Sequence, residues 1–112
     1  MKKIEAIITP FTLDAVQEAL RHVGLKGMTV SEVRTETQGN TRRRLYRGAE
    51  YSVDFLPKIK VELLVSDDKL ATCADVIEQT ARSGGLDDVD ISVSTIDDVI
   101  RIRTGERGAS AI

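Results

Sequence analysis

With Cys73 as the only cysteine, no disulfide can form within the chain. With His22 as the only histidine, neither a structural zinc site nor a Cys/His nucleophile pair has its parts. Cys73 stands at helical spacing from Leu70 and Ile77 and is expected to be a small buried apolar residue. Long hydrophobic runs are also missing. After Lys2-Lys3 only a short apolar-leaning run precedes Thr9-Pro10, too little for a signal-peptide core, and no segment reaches the length of a membrane helix. A cytoplasmic location is the expectation. Charge of one sign is scarce: the formal net charge is −2, so the chain has no global pull toward nucleic acid or anionic membrane, and duplex binding is disfavoured. Any electrostatic role falls to local clusters such as Arg42-Arg43-Arg44. A catalytic constellation is missing as well. Asp67-Asp68, Asp87-Asp88 and Asp97-Asp98 fall at helix starts or turns, where aspartate caps the backbone, so no carboxylate pair, nucleophile or metal cluster points to an enzyme.

What is present suits one domain over residues 1–112, with 41% apolar and 30% charged residues. Lys3 to Thr9 alternates, with Ile4, Ala6 and Ile8 on one face, and predicts a strand ended by Pro10. Thr12 is a candidate N-cap with Asp14 in the first turn, and Leu13, Val16, Leu20 and Val23 recur at spacings of three and four up to Gly24, which predicts an amphipathic helix. Met28 to Glu36, rich in Val and Thr, predicts a second strand. The order then begins again. Ile59, Val61, Leu63 and Val65 alternate with Lys58, Lys60, Glu62 and Leu64 in a strand. Asp67-Asp68 open a helix carrying Leu70, Cys73, Ile77 and Ala81, stopped by Ser83-Gly84-Gly85. Asp90 to Ile96 forms a further strand with Ile91 and Val93 inward. Val99 to Ile102 predicts a last short strand before a tail expected to be mobile at its end.

This order is the split βαβ arrangement: an α+β, ferredoxin-like βαββαβ domain with a four-stranded antiparallel sheet and two helices on one face. On the other face Ile7, Val30, Leu64 and Val99 are expected to present apolar side chains. A patch of that kind marks an interface and suggests a homo-oligomer, a closed ring as its form. Between the two halves lies a polar stretch, Thr37 to Pro57. Compact domains join their elements with about 4–6 residues, so an insert this long points to function. Its second part, Leu45 to Pro57, holds both tyrosines.

At Leu45-Tyr46-Arg47-Gly48-Ala49-Glu50-Tyr51 and Val53-Asp54-Phe55-Leu56-Pro57-Lys58 the chain closely resembles the PII signal-transduction family of nitrogen and carbon regulators. The match extends to Lys2-Lys3-Ile4, Ala6-Ile7-Ile8, Pro10-Phe11, Gly27-Met28-Thr29-Val30, Glu32-Val33 and Val99 to Glu106, nearly the whole chain in register. The resemblance implies a homotrimer, a protruding T-loop made by the insert (about 37–57), a phosphate-cradling B-loop (about 83–90), a C-terminal segment (about 99–112), and adenine nucleotide bound in clefts between neighbours. Taken residue by residue, it implies that Ile7, Gly27, Met28, Thr29, Gln38, Lys58, Glu62, Leu64, Asp88, Arg101 and Arg103 stand at ligand-binding positions. Gly27 lets backbone approach a ligand, the Thr29 hydroxyl can read an adenine edge, and Glu62 and Leu64 match positions whose backbone does so. Ile7 matches an apolar wall of the pocket. On a strand Arg101 and Arg103 would leave one face about 7 Å apart, a spacing suited to successive phosphates; from spacing alone, two solvated arginines are the plainer alternative.

The chain departs from the family at two loops. Ser83-Gly84-Gly85-Leu86-Asp87-Asp88-Val89-Asp90 has lost two of the B-loop glycines, and Asp90 replaces a lysine expected at the terminal phosphates, so each added phosphate charge is harder to hold. At the T-loop base, Gln38 and Gly39 stand for a basic residue and a glutamine that help hold Mg-ATP and 2-oxoglutarate. Lys58 is retained, but alone it makes a weak case for 2-oxoglutarate. ADP or AMP is therefore the expected ligand, with ATP still allowed. Arg42, Arg43 and Arg44, with Arg47 and Tyr51, sit at the family's docking tip. A basic run on a loop is ordinarily solvated charge; here it could meet bicarbonate, a metabolic enzyme, or an acidic surface of a membrane transporter touched from its cytoplasmic side. Tyr51 matches a uridylylation site of some members, and the altered surroundings argue against its modification. The alternative to a nucleotide switch is a constitutive trimeric interaction module, or a relative tied to metal efflux.

Overall fold

The computed structural model describes residues 1–36, 42–46, 49–53, 55–82 and 89–112, the two strands within 42–53 by their backbone only. Its elements are β1 (Lys2–Ile8), α1 (Leu13–His22), β2 (Thr29–Glu36), β3 (Arg42–Tyr46), β4 (Ala49–Val53), β5 (Phe55–Val65), α2 (Leu70–Arg82) and β6 (Asp90–Thr95), with single 3-10 turns at Pro10–Thr12, Asp67–Lys69 and Gly108–Ala111. Four strands form one antiparallel sheet in the order β2-β5-β1-β6, the ferredoxin-like α+β arrangement, while β3 and β4 pair as a separate hairpin. The repeat of strand, helix, strand follows the sequence pattern closely, because apolar residues alternate at period two in the strands and recur at 3–4 in the helices.

Register explains the core. Ile4 lies opposite Leu63, Ala6 opposite Val61 and Ile8 opposite Ile59, so one face of the sheet presents an unbroken aliphatic surface. Val16 and Leu20 of α1 and Cys73, Ile77 and Ala81 of α2 close over it, all buried. Each fully buried Leu, Ile or Val contributes about 1.5–3 kcal/mol relative to exposure, which makes this face the main source of stability. Helix α1 ends in a Schellman motif: the Gly24 N–H donates to Arg21 O (3.0 Å) and the Leu25 N–H to Leu20 O (3.1 Å). Gly24 sits at φ 88°, open to glycine at no steric cost.

Several local expectations are corrected. Thr12 makes no side-chain cap on α1; it is buried, and its Oγ1 donates instead to Thr9 O at 2.7 Å. Strand β5 begins at Phe55, inside the span assigned to the insert, and carries Pro57 within it. The missing N–H does no harm there. β1 ends at Ile8, opposite Ile59, so at Pro57 only β2 lies alongside, through Arg34, and β5 has one side free. The insert is also less irregular than its polarity suggests, since it contains the β3–β4 hairpin. Val99 to Ile102 is not a strand: only Ile100 makes a bridge, to Arg107, and the chain turns immediately afterwards. Val93 shares the face of its partner Ile4 but stays 47% exposed on the edge strand β6.

The open sheet face differs most from expectation. Val30 lies opposite Val61 and so belongs to the helix side, and Val99 belongs to no strand. Lys3, Glu5, Lys60 and Glu62 occupy the centre of the open face instead. Lys3 Nζ reaches Glu5 Oε1 at 3.0 Å and Glu62 Oε2 at 3.2 Å, and Lys60 Nζ reaches Glu62 Oε1 at 3.2 Å. The face is a charge network flanked by Ile7 and Leu64, both only partly buried, rather than an apolar patch.

Candidate functional site

A half-open cavity of about 920 Å³ lies where the start of β2, the C-terminal half of β5, the start of α2 and the C-terminal segment meet. It brings together Gly27, Met28, Thr29, Glu62, Leu64 and Arg101, all of them residues singled out from the sequence. Strand pairing does most of this work. Thr29 is the direct partner of Glu62, and Leu64 lies one alternation further along β5, so all three project from neighbouring positions of one sheet face. Two lysines hold the Glu62 carboxylate. Hydrogen bonds from Lys60 and then Lys3 keep its pKa below the usual glutamate range, while bonds to Glu5 and then Glu62 raise that of Lys3. Lys26 and Lys69 add cationic groups to the wall, and Asp98 an anionic one.

Cys73 borders the same cavity but is 2% exposed, and burial pushes its thiol up, away from the reactive thiolate. Among the described residues no group of three or more His, Cys, Asp or Glu side chains could hold a metal ion, and no helix is long and apolar enough to cross a membrane.

Arg101 enters the cavity from a hairpin-like turn, not from a strand. Its N–H donates to Glu106 O at 2.9 Å and its carbonyl accepts from the Gly105 N–H at 2.7 Å. Arg103 therefore does not share a strand face with it; it lies exposed in the turn, beside Ile102 at 96% exposure, and does not border the cavity. Of the two arginines, Arg101 alone borders the cavity.

Ile7 is elsewhere. It borders a second cleft of about 320 Å³ with Val89, Asp90, Ile91, Ala81 and Arg82. Asp90 is its cross-strand partner and is exposed, so the carboxylate that replaces the expected lysine stands beside this second cleft. Lys58 borders neither cleft; it is 4% exposed, on β5 between Glu62 and the foot of the insert. Gln38, Arg47 and Asp88 lie outside the described residues. Arg42, Arg43 and Arg44 occupy β3 and pair through the backbone with Val53, Ser52 and Tyr51 of β4.

Sequence reasoning overlooked the C-terminal tail. The end expected to be mobile is folded back: Ala111 is 4% exposed, and Ala109, Ala111 and Ile112 border the first cavity. The signal was present in Asp98 and Gly108, an acceptor and a turn former ten positions apart.

The family model described as Nitrogen regulatory protein P-II matches residues 1–106. The chain is similar to the nitrogen regulatory protein P-II of Bradyrhizobium diazoefficiens, 53% identical over 112 residues that cover all of both chains. It is 54% identical, again with both chains fully covered, to the nitrogen regulatory protein P-II of Klebsiella oxytoca and to nitrogen regulatory protein P-II 1 of Escherichia coli K12.

Proposed function

The chain belongs to the nitrogen regulatory protein P-II family, whose members are regulatory signalling proteins, and from that premise we propose that it is a homotrimer that binds adenine nucleotide between neighbouring copies and docks on a partner through its insert. One observation carries the reading. Residues expected in a single ligand pocket fall into two separate clefts of one chain, Gly27 to Thr29 with Glu62, Leu64 and Arg101 in one, and Ile7 with Asp90 in the other. A pocket divided in this way is completed by apposing the first cleft of one copy to the second cleft of the next.

The open face fits the same arrangement. Its charge network is self-paired, so it can be covered by another copy without leaving a lone buried charge. The ligand is ADP or AMP in preference to ATP, because Asp90, which borders the second cleft and stands for the lysine that the resemblance expects at the terminal phosphates, repels each further charge. Output runs along the sheet. β5 passes from Leu64 and Glu62 through Lys58 to Phe55, and β2 from Thr29 to Glu36, so two of the three strands that carry cavity residues end at the feet of the insert. Nucleotide changes the insert's fitness for its partner only to the extent that it binds one insert state better than the other.

Titration calorimetry with AMP, ADP and ATP, with and without Mg and 2-oxoglutarate, tests the ligand. ADP binding at least as tight as ATP, with no gain from 2-oxoglutarate, is expected; tight ATP binding strengthened by 2-oxoglutarate refutes the preference. Light scattering at the mass of a single chain refutes the shared pocket.

A further inference from the structure

Arg101 is tied to the chain's own tail. Its Nη2 donates to the carbonyl oxygen of Ala111 at 2.8 Å. The tail reaches that point through a short hydrogen-bonded scaffold: the Gly108 N–H donates to Val99 O at 2.9 Å and lies 3.1 Å from Asp98 Oδ1, which also accepts from the Val99 N–H at 2.9 Å. Gly108 has φ 65°, a left-handed conformation that directs the chain back toward the cavity. The turn Gly108–Ala111 then buries Ala111 against the cavity wall.

We propose that the tail from Gly108 onward is a positioning element for phosphate recognition, with the Ala111 carbonyl orienting the Arg101 guanidinium and the small tail side chains walling the cavity. The proposal rests on the adenine-nucleotide reading above. A guanidinium offers five N–H donors in a planar fork, so one bond to Ala111 leaves an edge free for a bidentate grip on phosphate. A long side chain ordinarily loses its rotamer freedom when it seizes a ligand; Arg101 has lost much of it already. The tail thereby favours ligands by their phosphates and is indifferent to the nucleoside.

Calorimetric titration of adenosine, AMP and ADP into the wild-type chain, Gly108→Val and Asp98→Ala tests this. Valine resists the left-handed conformation at 108, and removing the Asp98 carboxylate takes away an acceptor shared by two backbone N–H groups, so the two variants loosen the tail by independent means. Hydrogen exchange at the Ile112 amide is expected to quicken in both. ADP affinity should fall about tenfold, the scale of one hydrogen bond to a charged group, adenosine affinity should hold, and the fall should vanish in an Arg101→Ala background. Unchanged or tighter ADP binding overturns the proposal, the latter making the tail a competitor of phosphate. An equal loss for adenosine, or a loss that persists without Arg101, reduces the tail to a structural prop and overturns it too. A wild-type chain that binds none of the three overturns the nucleotide reading itself.

Discussion

The two faces of the four-stranded sheet are built from alternate residues of the same strands, yet they do opposite things. On the helix side Ile4, Ala6, Val61 and Leu63 are sealed under Val16, Leu20, Cys73 and Ile77. On the other side, one position along each strand, Lys3, Glu5, Lys60 and Glu62 pair with one another in partial contact with solvent. The first face holds the chain together. The second carries little of that stability, since exposed ion pairs contribute about 0–1 kcal/mol each, and is available for association and ligand contact. Alternation thus lets one strand carry a sealed apolar face and a charged face at once.

The sharpest way to break this division is to damage the sealed face. Leu20→Ala, at a fully buried position that borders neither cleft, should cost about 2–5 kcal/mol in urea unfolding. ADP affinity of the folded fraction should be unchanged.

Lys60→Glu should do the reverse. It gathers a third carboxylate beside Glu5 and Glu62, and is expected to shift chain stability by no more than about 1 kcal/mol. Sedimentation should show the assembly dissociating. A variant that stays assembled would mean that the charged face is not the seam.

pH offers a gentler probe of the same face. The Glu62 pKa is depressed, so its contribution is present above the ordinary glutamate range and fades as pH falls through the lowered value; that of Lys3 is raised, so its contribution is present below the ordinary lysine range and fades as pH climbs through the raised value. Stability should be flat across neutral pH and erode at both ends, and the acid limb should shrink in Glu62→Gln.

The sealed face was legible in the sequence almost residue by residue, because burial writes a period of two in strands and 3–4 in helices. The open face was not. Alternation puts Lys3 beside Glu5 and Lys60 beside Glu62 on their own strands, but that Lys3 also reaches Glu62 depends on the register of β1 against β5, which no local pattern fixes. The site was partly legible: Gly27, Thr29, Glu62, Leu64 and Arg101 converge as expected. Arg103 does not, because alternation along Val99 to Ile102 implied a strand where only Ile100 finds a partner. The tail was missed for a related reason, since a bond from Arg101 to a backbone carbonyl ten residues on leaves no trace in side-chain identity.

Glu36 and Phe55 face each other as the last pair of the β2–β5 ladder. The main body therefore fixes the gap between the two ends of the intervening peptide, whatever that peptide contains. Closing such a loop grows dearer only with the logarithm of its length, by about 0.6 kcal/mol per doubling. The insert can thus be lengthened, shortened or rewritten while the scaffold beneath it goes on folding as before.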